Sequence, residues 1–151
     1  MTLQKADLFQ FPILIGDIGG TNARFSLVQS PDSERIDFPP IKNNDFASLE
    51  NALEECVLSK SEKKPKSFIF AVAGPTGASD IIQLTNCDWN ISAKSLVETF
   101  SLSSFLAISD FEAQALAAIA AEPEKHILIK SGDHFPKSAK CVLGPGTGLG
   151  L

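Results

Sequence analysis

Short apolar runs alternate with glycine-rich or polar loops along most of the chain. The first two runs, at 11–15 and 23–28, are rich in β-forming residues and flank a glycine-rich segment, so they predict an antiparallel hairpin with that segment as its turn. A third run at 35–38 extends the hairpin to a three-stranded meander, and Pro39-Pro40 ends the sheet there.

The rest of the chain predicts helices and strands in alternation. Apolar residues at helical spacing after Asp45 predict a helix of about four turns that Asp45 caps, a second helix opens at Ser92, and an alanine-rich third helix covers 110–121. Nearly all-apolar runs at 67–73 and 104–108 are typical of strands buried on both faces, and shorter strands are predicted at 81–84 and 140–143. This order predicts an α/β fold with a mixed sheet, antiparallel at first and parallel in its second half.

Composition excludes several classes of function. A net charge of -5 without a basic stripe argues against nucleic acid as a partner, and the absence of a run of about 18 apolar residues argues against a membrane. Three cysteines without paired short spacing indicate a reducing compartment, so we expect a cytoplasmic protein. His126 and His134 stand alone, which leaves protein-ligated zinc without support.

The glycine-rich segment at 16–22 has the composition of a phosphate-binding loop, because backbone N–H groups can converge on phosphate oxygens where side chains are small. Asp17 stands where the first strand meets this loop, and its carboxylate could orient a water on Mg²⁺ beside a bound triphosphate. The alternative is an ordinary hairpin turn in which Asp17 and Asn22 satisfy backbone groups. A Walker loop is excluded because its lysine is absent.

A second glycine-rich segment, 144–150, also follows a predicted strand. A dinucleotide fingerprint fails here in both registers, because Leu149 and Leu151 occupy the positions that require glycine. The segment therefore predicts a phosphate-binding loop between two strands.

Two further loops carry candidate chemistry. Asp110 follows the predicted strand at 104–108, where a carboxylate could accept a proton from a substrate hydroxyl; alternatively, Ser109 and Glu112 form a capping box and Asp110 only favours the helix dipole. The loop 86–90 holds Asn86, whose amide could contact a sugar, and Trp89, which we expect to pack against the core.

Four segments stand in a recognisable order and spacing: GDIGGTNARFSLV (16–28), LTNCDW (84–89), SDFEAQALA (109–117) and LGPGTGLG (143–150). Together they resemble the N-terminal half of bacterial glucokinases, in the hexokinase and actin-like ATPase superfamily with its ribonuclease H-like domains. The resemblance implies ATP-dependent phosphorylation of the glucose 6-hydroxyl, the first step of glycolysis, with Asp110 as catalytic base and Ser109, Asp110 and Asn86 toward the sugar. It implies ATP contacts at Gly16, Asp17, Ile18, Gly19, Gly20, Thr21, Asn22, Gly146, Thr147 and Gly148, with Asp17 holding Mg²⁺ through water.

The chain departs from the family in two ways. Ser109 replaces the usual asparagine before the catalytic aspartate, and a hydroxyl offers fewer donors to a sugar than an amide does. The family also continues well beyond Leu151, so we expect a small N-terminal α/β domain at 1–122, the start of a truncated large domain at 123–151, and no activity from this piece alone. An apolar face left uncovered would favour self-association as a homodimer.

Two alternative functions remain open at this point. One is another sugar or acyl kinase of the same superfamily. The other is a non-enzymatic, sugar-responsive regulator, although the short segment before the first strand leaves no room for a helix-turn-helix there.

Overall fold

The computed structural model describes residues 8–77, 80–84, 86–121, 124, 127–133, 138–139, 141–145 and 149–150. The chain divides into two compact units, Met1–Asp110 and Phe111–Leu151. The domain boundary expected after residue 122 stays a prediction. None of the described helices is long and apolar enough to span a bilayer.

The first unit is built on a mixed sheet. Its elements in chain order are β1 (Ile13–Ile18), β2 (Asn22–Val28), β3 (Ile36–Asp37), β4 (Ile41–Lys42), α1 (Leu49–Cys56), β5 (Ser67–Val72), β6 (Ile81–Gln83), β7 (Asn90–Ser92), α2 (Ala93–Phe100) and β8 (Ser104–Ser109). Five strands lie in the order β3-β2-β1-β5-β8, with β4 also on β2, while β6 and β7 form a separate hairpin. β1, β2 and β3 pair antiparallel and β1, β5 and β8 pair parallel, which confirms the predicted α/β fold class.

The core lies against one face of this sheet. Alternate residues of the central strands point to it, including Leu14, Phe25 and Phe70, and the apolar sides of α1 and α2 complete it through Leu53 and Leu96. The opposite face is less covered. β8 is half-buried or exposed along its whole length, and Leu106 is exposed. The expectation that β8 is buried on both faces is therefore wrong.

The first two helices differ in how well their patterns predict them. α2 begins after Ser92, whose side chain accepts a hydrogen bond from the N–H of Ser95, as expected. The cap expected at Asp45 and the length of about four turns are wrong. Residues 43–45 form a separate 3₁₀ turn, and the eight-residue α1 begins only after Ser48, which accepts from the N–H of Asn51.

The helix α3 (Asp110–Ala120) begins at the last residue of the first unit, and its other residues belong to the second unit. It confirms the predicted helix. β9 (Gly144–Pro145) and β10 (Leu149–Gly150) pair antiparallel. The strand predicted at 140–143 is wrong for residues 141–143, which form no strand; Lys140 lies outside the described residues. Pairing begins only at Gly144, so the apolar run alone placed the strand too early.

Candidate active site

Parallel pairing brings two candidate segments to one edge of the sheet. Ile18 of β1 stands opposite Val72 of β5, which stands opposite Ser109 of β8. Because the three strands run in the same direction, the residues that follow them all emerge at this edge. Neighbouring strands lie about 4.8 Å apart, so the loop after β1 begins about 10 Å from Asp110.

The loop after β1 is a tight turn whose carbonyl groups are held by the rest of the unit. The N–H of Gly19 donates to the carbonyl of Asn22 at 3.0 Å and closes the turn. The carbonyl of Ile18 accepts from the N–H of Ala73 at 2.9 Å, and that of Thr21 accepts from the N–H of Asn43 at 2.9 Å. The carbonyl of Gly19 accepts from Nδ2 of Asn43 at 2.8 Å.

The N–H groups at the tip of this loop differ from its carbonyls, because they have no hydrogen-bond partner among the described residues. Among the described residues, none accepts a hydrogen bond from the N–H of Gly20 or Thr21. The side chains of Thr21 and Asn22 are exposed. A glycine-bearing turn with two available N–H groups and a nearby hydroxyl can bind a phosphate oxygen.

Gly16, in contrast, lies within β1 and packs against the core. It stands opposite Phe25 on β2 and Phe70 on β5. A Cβ atom at this position would lie 2.7 Å from Cδ1 of Phe70 and 3.0 Å from Cε1 of Phe25. The packing of these rings therefore accounts for glycine here, and the expected ATP contacts of Gly16 and Ile18 stay predictions.

Asp17 is the exposed, outward-facing residue near the end of β1. Its Oδ2 lies 3.1 Å from Nη1 of Arg24, its cross-strand neighbour, and both side chains are more than half exposed. Such a pair contributes little to stability. No turn N–H donates to the Asp17 carboxylate among the described residues, so the pairing with Arg24 does not support the interpretation that Asp17 caps the hairpin turn.

A cleft of about 470 Å³ lies beside Asp17 on the outer face of β1, β2 and β3. The charged side chains of this cleft form two ion pairs. Nε of Arg35 lies 3.1 Å from Oδ1 of Asp37, and Arg24 pairs with Asp17. Ser26 donates to the same Asp37 oxygen at 2.5 Å. The cleft therefore presents no unpaired cation to an anion.

The described residues contain no cluster of three or more His, Cys, Asp or Glu side chains that could hold a metal ion. Mg²⁺ keeps several waters and takes its other ligands from phosphates, so one exposed carboxylate is enough to hold it through water. Asp17 is exposed, and its expected place beside Mg²⁺ stays a prediction. His126 and His134, which the sequence leaves without partners, lie outside the described residues.

Ser109 and Asp110 lie where β8 ends and α3 begins, and both are half-buried. This is the expected place for a catalytic carboxylate, since ligands bind at the carboxyl ends of parallel strands. Their roles as base and sugar contact stay predictions, as does the capping box with Glu112.

The loop between β6 and β7 carries Asn86 and Trp89. Asn86 is exposed and has a left-handed backbone with φ 60°, a conformation that asparagine tolerates. Trp89 is buried, and its Nε1 donates to the carbonyl of Phe46 at 3.1 Å, which confirms the core position. Nδ2 of Asn43 lies 3.5 Å from Sγ of Cys87, so this loop adjoins the turn after β1.

The predicted residues of the second phosphate loop, Gly146, Thr147 and Gly148, lie outside the described residues. The flanking pairs Gly144–Pro145 and Leu149–Gly150 are antiparallel, which confirms that this loop joins two strands.

The hydrophobic pattern gives no sign of Asn43, which donates to two carbonyls of the first loop. Its sequence neighbours Asn44 and Asp45 make the stretch look like a solvated loop. A buried asparagine produces no hydrophobic periodicity. The signal that the sequence does offer is its place directly after β4, whose first residue, Ile41, is apolar and buried.

Comparison with known proteins gives a consistent result. The glucokinase family model matches residues 14–151. The glucokinase of Sinorhizobium fredii (strain NBRC 101917 / NGR234) is 50% identical over 143 residues, 95% of this chain and 42% of that protein. The glucokinase of Rhizobium johnstonii (strain DSM 114642 / LMG 32736 / 3841) is 46% identical over 141 residues, 93% of this chain and 41% of that protein.

The same relationship holds in three dimensions. The crystal structure of a glucokinase from an Antarctic psychrotroph matches with a TM-score of 0.75 and 37% identity, covering 93% of this chain and 45% of that one. The chain thus spans about two fifths of the length of the curated relatives it matches. Because the family model runs from the second residue of β1 to the last residue and the α/β fold is that of a glucokinase, the chain belongs to the glucokinase family.

Proposed function

We propose that this chain supplies the first phosphate-binding loop and the catalytic base of an enzyme that transfers the γ-phosphoryl group of ATP to the 6-hydroxyl of glucose. The observation that carries the proposal is the alignment of the loop after β1 with Asp110 at one edge of the parallel strands. A separation of about 10 Å leaves room for a phosphoryl group and a sugar hydroxyl between them. Family membership supports the same reaction.

Positioning and charge stabilisation dominate phosphoryl transfer. The N–H groups of Gly20 and Thr21 bind the phosphates of ATP in this proposal. Asp110 accepts the proton of the 6-hydroxyl as that oxygen attacks the γ-phosphorus, and the bond from the γ-phosphorus to the β–γ bridging oxygen breaks so that ADP leaves. Ser109 and Asn86 contact the sugar. Mg²⁺, held by Asp17 through water, supplies charge neutralisation when it is bound.

The expected ATP contacts of Gly146, Thr147 and Gly148, within 123–151, belong to the same proposal. Both substrates are metabolites of the cytoplasm, which is where we place the reaction. Glucose phosphorylation there forms the entry step of glycolysis.

The test replaces the base and leaves the local helix start intact. Asp110→Asn in the whole protein keeps an N-terminal capping side chain, and loss of a general base lowers kcat by about 10² to 10⁴. Glu112→Gln is the matched control, because it removes the other carboxylate at the start of α3 and leaves a side chain that a capping box accepts. A coupled ADP-release assay with glucose measures both variants.

A rate for Asp110→Asn close to that of the parent would refute the assignment of the base. Extending the assay to a panel of hexoses and to acetate separates the glucokinase from another sugar or acyl kinase. Sugar binding without any ADP formation by the parent protein would favour the regulator.

A further inference from the structure

Asn43 is a polar residue that is almost completely buried. It is the first residue of the 3₁₀ turn at 43–45 and is only 1% exposed. Its Oδ1 is buried and has no hydrogen-bond partner among the described residues. An unpaired buried oxygen lowers stability, so packing alone does not account for an asparagine here.

Both N–H donors of Asn43 reach the phosphate loop, and Nδ2 also lies 3.5 Å from Sγ of Cys87. The backbone N–H of Asn43 donates to the carbonyl of Thr21 at 2.9 Å, and its Nδ2 donates to the carbonyl of Gly19 at 2.8 Å. The orientation of the side-chain amide follows from this contact, because a carbonyl oxygen can only accept.

The direction of one hydrogen bond fixes the direction of another. The carbonyl of Gly19 and the N–H of Gly20 belong to the same planar trans peptide and point in opposite directions. When Asn43 holds the carbonyl inward, the N–H of Gly20 must face outward, where no described residue accepts from it.

The 3₁₀ turn is itself anchored, so Asn43 is a fixed support. The carbonyl of Asn43 accepts from the N–H of Phe46 at 3.1 Å, and the carbonyl of Phe46 accepts from Nε1 of the buried Trp89 at 3.1 Å. On the other side, β4 leads into the turn and pairs with the first residues of β2.

We infer that Asn43 is a positioning residue for nucleotide binding: its side-chain amide orients the Gly19–Gly20 peptide so that the N–H of Gly20 meets a phosphate oxygen. This inference rests on the proposed function. It assigns the Asn43 side chain a role in ATP affinity and none in sugar affinity.

The test exchanges the donor for an acceptor of the same shape. In the whole protein, Asn43→Asp places a carboxyl oxygen opposite the Gly19 carbonyl, and Asn44→Asp makes the same change at the exposed neighbouring position. Asn43→Ala and Asn44→Ala form a second, uncharged pair in case the buried carboxylate prevents folding. Hydrogen exchange by mass spectrometry is measured without nucleotide, and KM is measured for MgATP and for glucose.

We expect both Asn43 variants to exchange faster in the peptide covering 18–23 and to raise KM for MgATP about tenfold, the effect of losing one strong hydrogen bond. KM for glucose should stay at the parent value in the Asn43 variants. The Asn44 variants should match the parent in both KM values and in exchange. An unchanged loop exchange in folded Asn43 variants would overturn the inference. So would an equal rise in both KM values with faster exchange throughout the first unit, because that indicates a merely structural role.

The exchange measurement needs no substrate. If the parent protein does not phosphorylate glucose, the proposed function fails, and exchange at 18–23 still decides whether Asn43 holds the loop.

Discussion

Gly16 and Gly19 are three residues apart, yet different physical constraints apply to them. Gly16 faces the core beside the rings of Phe25 and Phe70. The centroids of these two rings lie 5.7 Å apart in an edge-to-face arrangement. Gly19 sits in the turn, where a Cβ atom would meet only the Asn22 carbonyl, at 3.4 Å. The first glycine therefore sets how closely the aromatic core can pack, while the second belongs to the proposed phosphate-binding loop.

We predict that Gly16→Ala lowers the free energy of unfolding by about 1 to 3 kcal/mol, because the added methyl group overpacks a rigid pair of buried rings. Urea denaturation of the chain measures the change. Gly132→Ala is the matched control, since a Cβ atom there has nothing within 4 Å. Equal stability of Gly16→Ala and the parent would show that the rings can move apart without cost.

Ser109 poses a question of specificity at the same scale. It is half-buried at the end of β8, directly before the proposed base. We predict that Ser109→Asn in the whole protein lowers KM for glucose, because an amide adds a donor toward the sugar worth about 0.5 to 1.5 kcal/mol. Steady-state kinetics give the value, with KM for ATP as the internal reference. An equal or higher KM for glucose would remove the reason for treating position 109 as a sugar contact.

At the scale of elements, helix starts show what local sequence can and cannot predict. Ser92 directly precedes the first residue of α2 and its apolar positions, so the start of that helix is predictable. Asp45 and Ser48 both precede α1, and choosing between them needs tertiary contacts. Asn43 holds residues 43–45 in a 3₁₀ turn through bonds to the first loop, which leaves Ser48 as the cap.

The sheet and the site show the same limit. Apolar runs predict β5 and β8, and their pairing places Asp110 at the same edge as the loop after β1. Which carbonyls of that loop are held, and by which side chain, depends on contacts between residues more than 20 positions apart. The contacts of Asn43 could not be predicted from the sequence for that reason, while the position of Asp110 at the end of β8 could.

At the scale of the whole molecule, one face of the sheet is incompletely covered. Ile15, Ile69 and Leu106 stand in register across β1, β5 and β8, and none of them is fully buried. This apolar row agrees with the expectation of self-association, which stays a prediction.

The last prediction concerns the 151-residue chain on its own. It spans 42% of the Sinorhizobium fredii glucokinase, and the proposed site lies at an edge of its first unit. Phosphoryl transfer requires groups on all sides of the reacting oxygen and exclusion of water by closure around both substrates. We predict that the purified chain forms no ADP in response to glucose, while the whole protein does so in the same assay. The Asp110→Asn chain serves as the control, because a contaminating host kinase would give equal rates in both preparations. Turnover by the chain within the usual kinase range of about 1 to 100 per second, lost in Asp110→Asn, would mean that these 151 residues complete the site without those that their relatives carry beyond them.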